Sequence, residues 1–111
     1  MEITTTQYKH CDLISVSGRI DSANAPKLSE ALKKITDDGR FRLVFDLGKL
    51  EFISSAGLRV LIATQKTCKR YNRGEVVLAN LPSNILSVLD LAGFTGIFKI
   101  FDDTLSGVGN F

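Results

Sequence analysis

Two apolar runs decide what this chain can become. Residues 41–47, FRLVFDL, and 75–79, EVVLA, are dense in aromatic and branched residues, and Gly39, Gly48 and Gly74 bound them. Such runs, lacking polar alternation, predict strands covered on both faces of a sheet. Between them lie Leu58, Leu61, Ile62 and Ala63, followed by Lys66, Lys69, Arg70 and Arg73 before Gly74. Apolar residues three and four apart, cations in the last turns and a glycine just beyond predict a helix over residues 58–71. A strand, a helix and a strand in this order cannot close as a hairpin. The connection is long enough for a right-handed parallel crossover, which places the chain in the α/β class with FRLVFDL near the centre of the sheet.

The remaining segments fit around that unit. Residues 3–8 and 13–16 predict a hairpin, broken at Lys9, His10, Cys11 and Asp12 and followed by Gly18. Pro26 suits a first helical turn, Asn24 or Ser22 can cap it, and Leu28, Ala31, Leu32 and Ile35 form a one-sided stripe that ends near Asp37. A third helix opens at Pro82 and Ser83, carries Leu86, Leu89 and Leu91, and closes at Gly93. Residues 97–101, IFKIF, predict a last short strand. The result is a single domain of about five mixed strands with helices packed against the sheet. Residues 104–111, with Gly107 and Gly109, show no periodicity and are expected to form a flexible tail beyond a domain spanning 1–103.

Composition narrows the function classes. A chain of 111 residues with 44% hydrophobic and 23% charged residues has room for one core. Fourteen Lys and Arg against twelve Asp and Glu leave a net charge of +2, which argues for neither nucleic acid nor an anionic membrane as partner. No apolar run approaches the ~18 residues of a membrane span, and the N-terminus lacks signal-peptide features, so a cytoplasmic protein is expected. Cys11 and Cys68 have no CxxC spacing and, with the single His10, make no zinc set. Both are expected to be reduced and structural, and no metal or cofactor is implied.

The candidate site is the stretch FISSAGL at 52–58, where a strand turns into a helix. In α/β sheets, ligand and partner sites lie outside the carboxyl ends of strands. Ser54 suits an N-cap, and Ser55 then falls in the first turn, where free amides and the helix dipole tolerate an anion. Ala56 and Gly57 are small enough to let a partner's backbone approach, although glycine costs a helix about 1 kcal/mol relative to alanine. Serines at helix starts also serve as plain caps, and glycine there can simply permit a tight turn; both readings stand at this level.

Ser55 is not a supported nucleophile. Ile53 occupies the first glycine position of a GxSxG elbow, and His10, the sole histidine, falls on the predicted hairpin. No GxxxxGK[ST] or GxGxxG phosphate loop is present, so an enzyme is not expected. Arg59, one turn from Ser55, can meet a partner acid or a phosphate. The four cations at 66–73 read as a solvated helix end, and Phe94 and Ile97 as core or rim.

GRID at 18–21, LVFDLGKLEFISSAGLRVLI at 43–62 and LAGFTGIFKIF at 91–101 together resemble a STAS domain of the bacterial anti-sigma factor antagonist type, over roughly residues 3–103. The resemblance implies a protein that binds an anti-sigma factor and so releases a sigma factor. The partner it implies is a GHKL-type serine kinase that phosphorylates the antagonist and thereby ends binding, with a PP2C-type phosphatase resetting it. Aligned by residue, the phosphoacceptor corresponds to Ser55, and Asp21 matches the acid that ends the family's Gly-x-Leu/Ile-Asp motif; taken alone, Asp21 is a solvated helix cap. The implied partner surface comprises Asp21, Ser22, Asn24, Ser54, Ser55, Ala56, Gly57 and Arg59. Ser54 stands where the family usually has aspartate, and the family's C-terminal helix has no counterpart in the glycine-rich end. The first departure leaves open a STAS module in another complex, such as a stress-signalling assembly or a lipid-transport system, without a serine switch.

Overall fold

The computed structural model describes residues 1–70 and 74–111. The expected hairpin is present as β1 (Glu2–Gln7) and β2 (Asp12–Ile20), antiparallel, with Ile3 opposite Val16. Next come α1 (Ala25–Asp37), β3 (Arg42–Asp46), β4 (Leu50–Ile53) and α2 (Ser55–Lys69). The chain continues through β5 (Glu75–Ala79), α3 (Ser83–Leu91), β6 (Lys99–Phe101) and α4 (Thr104–Gly109). The strands lie in the order β1-β2-β3-β5-β6, and every pairing except β1 with β2 is parallel. The α/β class therefore holds, and β3 is central.

One strand more than expected is present among the described residues. The run FRLVFDL ends as a strand at Asp46, the chain turns at Gly48 and Lys49, and β4 then pairs in parallel with the far end of β2, Ile53 opposite Ile20. β2 is long enough at nine residues to serve both neighbours, β3 along Asp12–Ser15 and β4 beyond a bulge between Gly18 and Arg19. It is thus β4, and not the central strand, that delivers the chain into α2. The helix starts at Ser55, as the reading of Ser54 as its N-cap expects, three residues before the apolar stripe begins at Leu58. Tyr71 and Arg73, placed by the sequence in its last turn and just beyond, lie outside the described residues.

Alternation along the strands divides the core in two. Leu43 and Phe45 of β3 face a cluster with Leu28, Leu32 and Ile35 of α1, Leu58 and Leu61 of α2, and Ile85 and Leu89 of α3. The α3 stripe differs from expectation: Ile85 and Leu89, four apart, are buried, whereas Leu86 and Leu91 are 38% and 89% exposed. Val44, Val77 and Ala79 point to the opposite face, where Val108 and Phe111 pack on them.

That second cluster corrects the reading of the C-terminus. The patternless segment holds a short helix, α4, whose N-cap Asp103 accepts the Ser106 amide at 2.7 Å. A Cβ on Gly107 would stand 2.9 Å from Val44 Cγ1, so the glycine is what lets this helix lie close against the sheet. Asn80, at φ 59, turns the end of β5 and donates to Thr104 Oγ1 at 2.9 Å and Asp46 Oδ1 at 3.2 Å. The family's C-terminal helix therefore has a counterpart in the glycine-rich stretch.

Candidate functional site

The site forms where β2 and β4 end side by side. The Ser54 amide donates to the Ile20 carbonyl at 2.8 Å, which sets the turn after β2 beside the start of α2. The sequence places 32 residues between Asp21 and Ser54; the parallel β2–β4 pairing makes their segments neighbours.

Ser54 is the N-cap, with extended backbone at ψ 171, and its Oγ accepts the Gly57 amide at 3.2 Å. Leu58 donates back to the Ser54 carbonyl at 3.0 Å. Ser55 begins the helix and its side chain is exposed. Its own amide and that of Ala56 have no protein acceptor among the described residues, as the geometry of a helix start requires. No acidic side chain occupies the first turn of α2. The positive end of this 15-residue helix thus has no acid of its own first turn next to the Ser55 hydroxyl.

Gly57 does not leave room for a visitor. It is buried, and a Cβ there would stand 2.7 Å from Ile20 Cγ2 and 2.8 Å from Ile53 Cγ1. Its small size serves the internal seat of α2 on β2 and β4, and the surface next to Ser55 is shaped instead by half-buried Ala56.

The turn after β2 is fastened from within. Asp21 Oδ1 accepts the Ala23 amide at 3.0 Å and the Asn24 amide at 2.9 Å, while Asn24 Oδ1 accepts the Asp21 amide at 2.8 Å. Asn24 Nδ2 also donates to the Arg19 carbonyl at 2.9 Å. Asn24 occupies the cap position of α1 but makes no side-chain bond to that helix; it ties the turn to the end of β2. Ser22 is exposed at the tip, and Asp21 is half-buried. Arg59 is exposed on α2 and has no ion pair among the described residues.

Sequence reasoning missed one element of this surface. Arg19 of β2 and Phe52 of β4 face each other in register, with the guanidinium 4.4 Å from the ring centroid and Phe52 37% exposed. Only the pairing of β4 with β2 joins them, so neither residue type nor spacing signalled it. Among the described residues, no group of three or more His, Cys, Asp or Glu could hold a metal ion, and no helix is long and apolar enough to cross a membrane.

The site is thus an exposed serine at a helix start, beside the paired ends of two parallel strands in a mixed sheet. Residues 2–106 match the family model of the STAS domain, and the chain belongs to that family. BtrV of Bordetella bronchiseptica is 36% identical over 90% of this chain and 85% of its own length. The anti-sigma-F factor antagonist RsfB of Mycobacterium tuberculosis is 29% identical over 96% of this chain and 88% of its own. The crystal structure of an anti-sigma factor antagonist from Mycobacterium paratuberculosis superposes with a TM-score of 0.85 at 24% identity, covering 98% of this chain and 92% of that one. This last likeness shows the fold.

Proposed function

We propose that the protein is an anti-sigma factor antagonist whose binding is switched off by phosphorylation of Ser55. The observation that carries this reading is the division of labour between the two serines. Ser54 Oγ is engaged with the Gly57 amide, whereas Ser55 is exposed at a helix start with no acid in its first turn. The names of its relatives supply the partner class, an anti-sigma factor. The wider resemblance supplies a GHKL-type serine kinase activity on that partner, a PP2C-type phosphatase that reverses it, and action in the cytoplasm. The domain is in this reading a binding module and not a catalyst.

The mechanism is electrostatic. A phosphate on Ser55 adds about −1.5 to −2 charges, which the first-turn amides and helix dipole tolerate within the domain. A close-fitting partner must strip water from that charge, at a far larger cost than burying the neutral hydroxyl carries. Phosphorylation therefore separates the complex without unfolding the antagonist. The test is affinity for the candidate anti-sigma factors of the same genome: for the one that binds the native chain, Ser55→Ala retains binding and Ser55→Asp loses it. Equal affinity of the two variants refutes the switch and favours a STAS module of another complex.

A further inference from the structure

A second surface lies at the other end of α2, about 20 Å of helix from Ser55. There the last turns of α2 and the segment before β6 border a shallow, open groove of about 600 Å³, lined by Gln65, Lys66, Lys69, Arg70, Gly96 and Ile97. Its floor is apolar and open, with Ile97 40% exposed. Its walls are fixed. Gln65 is only 2% exposed, donates to the Ile97 carbonyl at 3.0 Å and the Val76 carbonyl at 3.2 Å, and accepts the Val76 amide at 2.6 Å. This buried amide staples the helix, the strand and the turn together, so the groove exists before anything enters it.

Its rim is of one sign. Lys66, Lys69 and Arg70 are exposed and form no ion pair among the described residues. The acid nearby in the chain, Glu75, is paired with Lys99 at 3.5 Å instead. Cations at a helix C-terminus favour the helix, but the dipole accounts neither for an open apolar floor nor for a buried glutamine that holds it in shape.

We propose that this groove docks an acidic, amphipathic segment of a partner protein, with apolar side chains on Ile97 and carboxylates on Lys66, Lys69 and Arg70. Charge complementarity selects that occupant: an apolar floor alone fits many segments, and three exposed cations without an ion pair among the described residues select an acidic one. The site is separate from the Ser55 surface, and the inference does not depend on the switch proposed there.

The probe is a fluorescent peptide whose helical Leu stripe is flanked by Glu on the same side, titrated with the full chain at low and high salt. Binding is expected, weakening with salt because exposed charges are screened beyond about 8 Å at physiological ionic strength. Lys66→Ala, Lys69→Ala and Arg70→Ala together should weaken it about tenfold or more, the scale of three rim charge pairs. Ile97→Ser should weaken it as well. Lys27→Ala, Lys33→Ala and Lys34→Ala together, an equal charge change on α1, should leave it intact. Absence of binding, equal loss in both triple variants, or tighter binding to duplex DNA or to anionic vesicles than to the peptide overturns the proposal. All these positions except Ile97 are well exposed, and circular dichroism of each variant confirms that the fold is retained.

Discussion

The Ser54 hydroxyl accepts the Gly57 amide at 3.2 Å, so the two adjacent serines of this helix start are chemically unlike. One is spent on the backbone and the other stands exposed. Ser54→Ala should therefore lower stability by about 1 kcal/mol, the usual worth of a serine cap, whereas Ser55→Ala should change it by less than about 0.5 kcal/mol. Urea unfolding of the two variants checks the difference, and equal losses would mean that both hydroxyls are structural.

Gly57→Ala sets two effects against each other. Alanine improves helix propensity by about 1 kcal/mol, but the new methyl would lie 2.7 Å from Ile20 Cγ2 and 2.8 Å from Ile53 Cγ1. Ile20 and Ile53 are 0% and 4% exposed and β-branched, with little freedom to move aside. Overpacking wins, and a net loss of roughly 1–2 kcal/mol is expected, read as a lower thermal midpoint. A neutral or stabilising outcome would mean that the seat of α2 on Ile20 and Ile53 gives way to a methyl and does not require glycine.

Removal of residues 104–111 tests what the C-terminus does. Val44, Val77 and Ala79 are each 0% exposed, and Val108 and Phe111 are among the residues packed on them. Loss of this cover should cost roughly 2–4 kcal/mol and shift the urea midpoint accordingly. Gly107→Val, which drives a side chain toward Val44 Cγ1, should move the midpoint in the same direction. A loose tail would leave both midpoints where they were.

Burial raises the Cys68 thiol from its ordinary 9.0 to about 11. As pH rises, the unfolded chain loses this proton first, so above 9.0 the unfolded state binds fewer protons than the folded one. The stabilising effect of the neutral buried thiol is complete below 9.0 and is lost as pH passes through about 11. The native chain should thus lose stability across that window relative to Cys68→Ala, whose own packing loss is independent of pH. Parallel pH–stability curves for the two proteins would contradict this.

The sequence alone determined the class of fold and most of its parts. Strand runs dense in branched and aromatic residues, a helix with a one-sided stripe after Pro26, and cations before a glycine are local signals, because secondary structure is written in spacings of two to four residues. FISSAGL was legible as a helix start for the same reason, and Ser54 as its cap.

Tertiary structure decided the rest. No local pattern shows that β4 lies along the end of β2, yet that pairing brings the Asp21 turn to Ser54, stacks Arg19 on Phe52 and turns Gly57 inward against Ile20 and Ile53. Nor does TLSGVG read as a helix on its own, since two glycines weaken it. The demand was nevertheless present elsewhere in the chain: a central strand apolar on both faces needs a second cover, and α4 provides it over Val44, Val77 and Ala79. Sequence periodicity states which faces must be buried; only the assembled sheet determines which segment buries them, because that choice is made by contacts between residues far apart in the chain.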